Sequence, residues 1–309
     1  MLLLQQMFIL FMLMMVGFIC KKTGIITTSG SKVISGVVVN VANPALILSA
    51  GINKKDTIEG KNLILTVILA VGIYVFLIVC AKIVPKVLRI PKTDAGTYEV
   101  MTVFSNIGFM GFPVISAVYG NDALLYASFF LIPYNVLIYT WGIVSLCSGK
   151  DSDGGDKKKI EWSRIFNIGV IACLVTIVAY MLRLQLPGPI TSVVDHLSEL
   201  TAPLSMMVIG ASMTDMNVKE LISDVKLLLF MFIKLLIIPV VGVSIIKLCG
   251  IDMKLVGVCL IMLATPVGSM TAMLSQQYDA DYELASKGVA LSTVLSVVTI
   301  PLLSFLLKV

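Results

Sequence analysis

The chain has 309 residues, of which 58% are hydrophobic and only 13% are charged, and its mean hydropathy is +1.01. A soluble domain is about half apolar and a quarter charged, so this composition excludes a soluble globular protein and indicates an integral membrane protein. The net charge of +5 is small, and we expect a lipid bilayer and no nucleic acid as its partner.

Apolar runs of about 20 residues are long enough to cross the roughly 30 Å of a bilayer's hydrocarbon core. Ten such runs predict an all-α protein with ten transmembrane spans: 4–20, 31–50, 62–84, 97–119, 123–147, 164–184, 192–212, 225–247, 254–276 and 286–307. The first run lacks the charged n-region of a cleavable signal peptide, so we expect it to be retained. The polar stretch 148–161 is rich in Gly, Asp and Lys and is predicted to be a loop without a fold of its own.

The distribution of Lys and Arg predicts the orientation of the spans. Most of the 23 basic residues fall in loops that lie on one side of the membrane if the N-terminus is outside. Because cytoplasmic loops carry the excess of basic residues, we expect both termini to be extracytoplasmic and the loop 148–161 to be cytoplasmic. The predicted location is the plasma (inner) membrane.

The loop 148–161 divides the ten spans into two groups of five. An odd number of spans in each half forces opposite orientations, so residues 1–147 and 162–309 are predicted to form two inverted five-helix repeats. Two corresponding stretches support this interpretation, because YGNDALLYAS (119–128) follows span 4 and YDADYELAS (278–286) follows span 9.

Spans 4 and 9 both contain residues that interrupt helices. Span 4 has Gly108, Gly111 and Pro113 close to Asn106, and span 9 contains ATPVGSM (264–270). Non-helical backbone at membrane depth is tolerated only where protein or a water-filled cavity covers it. Two interrupted helices therefore predict a midplane binding site, with half-helix N-termini facing an anion. The alternative interpretation is a pair of proline kinks with packing glycines.

Four stretches of the chain resemble the auxin efflux carrier family of transporters: SNIGFMGFPV (105–114), ATPVGSM with QQYDADYELAS (264–286), NPALIL (43–48) and TAPLSMMVIG (201–210). The resemblance implies two inverted repeats whose broken helices 4 and 9 cross near the midplane. It also implies a scaffold of helices 1, 2, 6 and 7, a mobile transport domain of helices 3–5 and 8–10, and a homodimer. The implied activity is secondary transport of organic anions, auxin in plants and malate or malonate in bacteria.

Two departures favour the bacterial malate and malonate branch and a small carboxylate. The plant carriers have Pro where this chain has Ser105, and they often carry a long central loop. The bile acid sodium symporters share the inverted architecture and bind Na⁺ at the crossover.

Asn106 is the leading candidate for a substrate contact, because its amide can donate to a carboxylate without a buried charge. In the family resemblance this Asn contacts the substrate carboxylate; the alternative is an interhelical hydrogen bond. Ser105, Thr265 and Ser269 are hydroxyls that could bind either freed carbonyls or a ligand. The shape of the two breaks is assigned to Gly108, Gly111, Pro113, Pro266 and Gly268.

Span 5 places Tyr134 and Asn135 beside Pro133 at depth. By resemblance, helix 5 lines the substrate site, and these two polar residues match that lining; a packing hydrogen bond is the alternative. Lys234 lies in the middle of span 8, where a charge is costly, so it is predicted to face the interior. Its expected partners are the substrate, a carboxylate or carbonyls freed by a broken helix, and it could instead be neutral and carry a proton.

Five other polar residues are predicted to be solvated. Glu99, Asp122, Asp279 and Asp281 lie near span ends and are expected in turns, and His196 is expected on the outer surface.

No enzyme, cofactor or metal site is predicted. The spans lack paired aspartates, a His-Glu-x-x-His motif and any base for a Ser nucleophile. The six cysteines are expected to pack as small apolar residues. A receptor or sensor would need an attached signalling domain, and a channel is less consistent with interrupted inverted repeats.

The polar residues within the spans also give an expectation for ion coupling. We expect proton coupling or uniport, because no acidic residue lies in the middle of a span to neutralise a cation. Na⁺ coupling through SN (105–106) and QQ (276–277) is the alternative. Elevator-type alternating access is the expected mechanism.

Overall fold

The computed structural model describes residues 2–52, 60–148, 168–215, 224–278 and 280–308. The described residues form helices joined by short connections. The first half contains α1 (Leu2–Lys22), α2 (Thr28–Val37), α3 (Asn43–Gly51), α4 (Gly60–Val87), α5 (Lys92–Val103), α6 (Phe112–Tyr119), α7 (Ala123–Leu137) and α8 (Ile143–Cys147). The second half contains α9 (Ile168–Met181), α10 (Gly188–Glu199), α11 (Thr201–Ser212), α12 (Val225–Phe232), α13 (Ile238–Leu248), α14 (Met253–Ala264), α15 (Ser269–Gln277) and α16 (Tyr282–Leu307).

Five helical segments in the described part of the chain are long and apolar enough to cross a membrane: Thr28–Ser49, Ile64–Val87, Ala123–Cys147, Val225–Leu248 and Tyr282–Leu307. Their outer faces carry large exposed apolar side chains, as a lipid-facing surface requires. The prediction of an all-helical, multi-span membrane protein is therefore confirmed. Most of the predicted loop 148–161 and the start of span 6 lie outside the described residues.

Turns of π-helix interrupt three of these segments, and a further π-turn begins the shorter apolar helical segment Ile107–Tyr119. Three of these turns, Val38–Ala42, Ile107–Gly111 and Ile233–Ile237, are followed two residues later by a proline that occupies the first turn of the next helix. Proline has no N–H to donate to the carbonyl four residues before it, so the helix widens locally where that hydrogen bond is missing.

Helix α1 packs against α11 through two reciprocal glycine contacts. A Cβ at Gly17 would lie 2.1 Å from the backbone oxygen of Met207, and a Cβ at Gly210 would lie 1.8 Å from that of Met14. Glycine is required at both positions because the two backbones touch, as small residues permit in membrane helix pairs. Helix α3 packs against α9 and α10 beside this pair.

The break in span 4 lies upstream of its predicted position. The helix ends at Val103, whereas Gly108 and Gly111 lie in the following π-turn and Pro113 in the first turn of α6. Proline is tolerated here because its fixed φ suits the first turn of a helix and because the Ser205 hydroxyl donates to the Phe109 carbonyl that Pro113 leaves without a helical donor. Pro113 therefore shapes the restart of the helix and does not interrupt it.

The prediction that Glu99 is a solvated turn residue is wrong. Glu99 lies within α5 with 9% of its surface exposed, and its Oε2 is 2.5 Å from Lys82 Nζ on α4. A carboxylate that is buried within a membrane protein requires a partner of this kind. Asp281 caps α16 by accepting from the Leu284 N–H at 2.9 Å, and Asp122 and His196 are exposed. Asp279 lies outside the described residues.

Candidate functional site

The two helix breaks meet as a short antiparallel pair of extended segments. Ser105 pairs with Val267. The Asn106 N–H donates to the Pro266 carbonyl at 2.7 Å, and the Gly268 N–H donates to the Phe104 carbonyl at 2.8 Å. Each break thus satisfies backbone groups that the other leaves without helical partners, which permits extended backbone inside the protein.

The first break, residues 104–106, frees an acceptor that a buried lysine occupies. In a continuous helix the Thr102 carbonyl would accept from the Asn106 N–H, which instead pairs with the second break. The Lys234 ammonium donates to the Thr102 carbonyl at 2.8 Å and to Ser105 Oγ at 2.8 Å. The side chain of Lys234 is fully buried. Of the partners expected for Lys234, the structure therefore contains the carbonyl freed by a broken helix.

The second break, residues 265–268, frees a donor that a hydroxyl satisfies. The Val267 N–H donates to Ser292 Oγ on α16 at 3.0 Å, and that hydroxyl in turn donates to the Val289 carbonyl at 3.0 Å. Thr265 Oγ1 donates to the Met262 carbonyl at 3.2 Å, so it binds the end of its own helix. Ser269 is the first residue of α15, directly after this break.

The two polar atoms of the Asn106 side chain differ in their hydrogen bonding. Its Oδ1 accepts from the Phe109 N–H at 3.3 Å and thereby caps the π-turn Ile107–Gly111. Its Nδ2 has no hydrogen-bond partner among the described residues, although Asn106 is only 4% exposed. An unpaired buried donor costs about 1–3 kcal/mol, which a bound acceptor would offset.

The turn after Asn106 is attached to α11 by a hydroxyl. Because Pro113 has no N–H, the Phe109 carbonyl four residues earlier lacks its helical donor. Ser205 Oγ on α11 donates to that carbonyl at 3.0 Å. Gly111 lies against the second break, since a Cβ there would be 3.5 Å from Thr265 Cγ2.

Span 5 packs two aromatic rings, those of Tyr134 and Trp141, against Phe104 in the first break. The ring of Tyr134 packs edge-on against Phe104 with a centroid separation of 5.4 Å. Asn135 Nδ2 donates to the Leu131 carbonyl of its own helix at 2.8 Å. The sequence analysis thus identified Asn106, Ser105, Pro266, Gly268 and Lys234, which the fold brings together around the paired breaks.

Three residues of this arrangement, Thr102, Ser205 and Ser292, were missed. Ser205 lies in the quoted stretch TAPLSMMVIG, and Ser292 is a hydroxyl in the middle of an apolar span. Polar residues within spans are the signal that would have drawn attention to the two serines. No signal identifies Thr102, because its contribution is a backbone carbonyl.

A second polar cluster lies on the same group of helices. The Lys82 ammonium that pairs with Glu99 also lies 5.4 Å from the centroid of the Trp141 ring. This contact joins α4, α5 and the π-turn Ile138–Gly142. An ammonium over the face of an indole ring is favourable, so the cluster stabilises the packing of these helices.

Comparisons with known proteins agree with a membrane carrier. A family model described as "Membrane transport protein" matches residues 2–304. A protein of Methanothermobacter thermautotrophicus named "Uncharacterized transporter" is 23% identical over 295 residues, which cover 96% of this chain and 95% of the relative. A transporter of Methanocaldococcus jannaschii with a similar name is 24% identical over 97% of both chains. A protein of Rhizobium meliloti named "Putative malonate transporter" is 22% identical over 66% of this chain and 65% of the relative.

Proposed function

The chain belongs to the membrane transport protein (auxin efflux carrier) family, and from this premise we propose that it is a secondary transporter of small organic anions. Its substrate binds at the crossing of the two helix breaks. A family of membrane transporters also accounts for the lack of enzymatic motifs in the spans.

The observation that carries the proposal is Asn106 Nδ2, a buried atom for which the described part of the chain supplies no hydrogen-bond partner. It is a buried hydrogen-bond donor at the N-terminus of the turn Ile107–Gly111, where backbone N–H groups also give partial positive charge. The fully buried Lys234 side chain donates to the adjacent Ser105 and adds a positive charge when it is protonated. A donor and a cation side by side favour a carboxylate over a neutral or cationic solute.

Two inverted repeats and elevator-type movement form part of the proposal. Helices α5 and α14, which precede the two breaks, each have 12 residues. The reciprocal contacts of Gly17 and Gly210 likewise pair the first span with the seventh. Spans 1, 2, 6 and 7 would form the scaffold, and spans 3–5 and 8–10 would form the mobile transport domain. The protein would lie in the plasma membrane as a homodimer with both termini outside.

We propose proton coupling or uniport for the energetics. The alternative of Na⁺ coupling used SN (105–106) and QQ (276–277) as ligands. Ser105 Oγ already accepts from Lys234 Nζ, so one of these Na⁺ ligands is engaged by another group. The side chains of Gln276 and Gln277 lie outside the described residues.

Malonate and malate are the first substrates to consider. The Rhizobium meliloti relative has malonate in its name, and Ser105 and the short central loop favour the bacterial branch.

The test is thermal unfolding of the purified protein with a panel of carboxylates, in Na⁺ and in K⁺ buffers. A ligand at 100 times its Kd adds about 2.7 kcal/mol of stability. We expect a shift with malonate or malate that is equal in both buffers. Asn106→Ala should weaken binding about ten- to hundredfold, because it removes a hydrogen bond to a charged group worth about 1.5–3 kcal/mol.

Asn40→Ala is the matched control. Asn40 is exposed, and its amide donates to the Gly36 carbonyl of the same segment at 2.9 Å, so its loss should leave carboxylate binding unchanged. A shift that requires Na⁺ would replace proton coupling or uniport with sodium symport. The absence of any shift with every carboxylate would contradict the anion assignment.

A further inference from the structure

A second asparagine near the first break also has an unused buried atom. In the described part of the chain, Asn106 Nδ2 and Asn43 Oδ1 are the two buried side-chain amide atoms without a hydrogen-bond partner. One of them is a donor and the other an acceptor. Asn43 is the first residue of α3, directly before Pro44.

The two amides lie against the same turn. A Cβ on Gly108 would be 3.2 Å from Asn43 Nδ2, so the Asn43 amide approaches the backbone of the turn Ile107–Gly111. Asn106 caps this turn through the Phe109 N–H. Glycine at 108 allows the close approach, since any side chain there would press on the Asn43 amide. The free donor comes from the span-4 break and the free acceptor from a different helix.

A ligand that satisfies both atoms must accept at one end and donate at the other. A carboxylate oxygen accepts from Asn106 Nδ2, and an O–H group on the same small molecule donates to Asn43 Oδ1. A simple monocarboxylate leaves the Asn43 oxygen unpaired, and a fully ionised dicarboxylate places a second negative charge against an acceptor.

We propose that Asn43 is a second substrate contact that selects monoanionic carboxylates carrying an O–H donor, such as singly protonated malonate or a hydroxy acid. The inference rests on the proposed function, because it takes Asn106 as the contact for the carboxylate. It adds a specificity determinant on α3, which belongs to a different group of helices from the breaks. Substrate bound in this way would contact both the proposed scaffold and the proposed transport domain, which slide past each other during transport.

The experiment compares malonate with monomethyl malonate at a mildly acidic pH at which part of the malonate is singly protonated. Both probes are then monoanions of similar size, but only hydrogen malonate has the O–H donor. Lactate and propionate form a second pair that differs by one hydroxyl. Binding is measured by thermal shift and by uptake into proteoliposomes of the wild-type protein and of Asn43→Ala, Asn106→Ala and Asn40→Ala.

We expect the wild-type protein to bind hydrogen malonate about ten- to hundredfold more tightly than the methyl ester, because the ester leaves a buried acceptor unpaired. Asn43→Ala should reduce this ratio to about twofold while the methyl ester still binds. Asn106→Ala should weaken all four probes, and Asn40→Ala should match the wild type.

Equal binding of the acid and the ester by the wild-type protein would overturn the role of Asn43, whatever the stability of the variants. An unchanged ratio in Asn43→Ala would do the same. In both cases carboxylate binding and its loss in Asn106→Ala would still support the proposed function. If the wild-type protein bound none of the four probes, the proposed function and this inference would both be rejected.

Discussion

The two helix breaks pair with each other as extended segments but are stabilised by opposite kinds of side-chain group. At the first break a lysine ammonium supplies donors to the Thr102 carbonyl and Ser105 Oγ. At the second break a serine hydroxyl supplies an acceptor to the Val267 N–H. The difference follows from which group each break leaves free, since a freed carbonyl needs a donor and a freed N–H needs an acceptor.

This difference concentrates side-chain hydrogen-bond donors on one side of the crossover. The first break has the Lys234 amino group and the Asn106 Nδ2 donor, which has no partner in the part of the chain that the structure describes, whereas the side-chain oxygen of Thr265 at the second break is already bonded. We infer that the first break is the anion-binding side and that the second is its structural support. Substitutions at the two breaks should therefore differ in size and in kind.

Lys234→Met is expected to have the largest effect. It leaves two buried acceptors without donors, each costing about 1–3 kcal/mol, partly offset by the removal of a buried charge. We expect carboxylate uptake into proteoliposomes to fall more than about tenfold and the free energy of unfolding to fall by about 2 kcal/mol. Lys226→Met on the same span is the control, because Lys226 is exposed and donates only to the Arg89 carbonyl, at 3.2 Å. If Lys234→Met took up carboxylate at the wild-type rate, the inference that the first break is the anion-binding side would be contradicted.

Gly268→Ala should have an intermediate effect, because it pushes the two breaks apart. A Cβ at Gly268 would lie 3.1 Å from both the Phe104 and Ser105 carbonyl oxygens, and these are backbone atoms that cannot rotate away. Overpacking of this kind costs about 1–3 kcal/mol, and we expect an equivalent fall in unfolding free energy with weaker substrate binding. Gly72→Ala on α4 has no atom within 4 Å of the new Cβ and should leave binding unchanged. Normal binding and stability in Gly268→Ala would show that neither property depends on the close approach of the two breaks.

Ser292→Ala is expected to have the smallest effect of the three. It leaves the Val267 N–H unpaired and should lower the unfolding free energy by about 1 kcal/mol, with uptake reduced only a few-fold. Thr293→Val is the matched control, because Thr293 also donates to the Val289 carbonyl but accepts nothing from the break. Comparing the two variants by thermal unfolding isolates the Val267 contact. Complete loss of uptake in Ser292→Ala would mean that the second break is as critical as the first.

Much of the arrangement at the crossover could be predicted from local sequence. Breakers at corresponding places in spans 4 and 9 indicated that two interrupted helices would meet, and Ser105, Asn106, Pro266 and Gly268 do lie at the paired segments. The position of the first break was displaced by several residues, because Pro113 is accommodated in the first turn of α6. Local propensity marks where a helix is weak, but tertiary contacts select the residue at which it ends.

The long-range partners could not be predicted in the same way. Lys234 is 129 residues from Ser105 in the sequence, and Ser205 is 96 residues from Phe109. Glu99 was wrongly expected in solvent, since nothing in the local sequence indicates that α4 would bring Lys82 to it. Each of these contacts depends on which helices become neighbours, a property of the whole chain.

The sequence by itself determined the class of protein, the approximate limits of its helices and the presence of two weak points in spans 4 and 9. These properties follow from hydrophobicity, length and the backbone chemistry of glycine and proline, which act over a few turns of helix. Only the tertiary structure decided that the two weak points pair, that Lys234 donates to the freed Thr102 carbonyl, and that the Asn43 and Asn106 amides meet at one turn, each with one atom that has no partner among the described residues. The physical reason is that buried polar groups must find partners, and those partners come from helices that are distant in sequence.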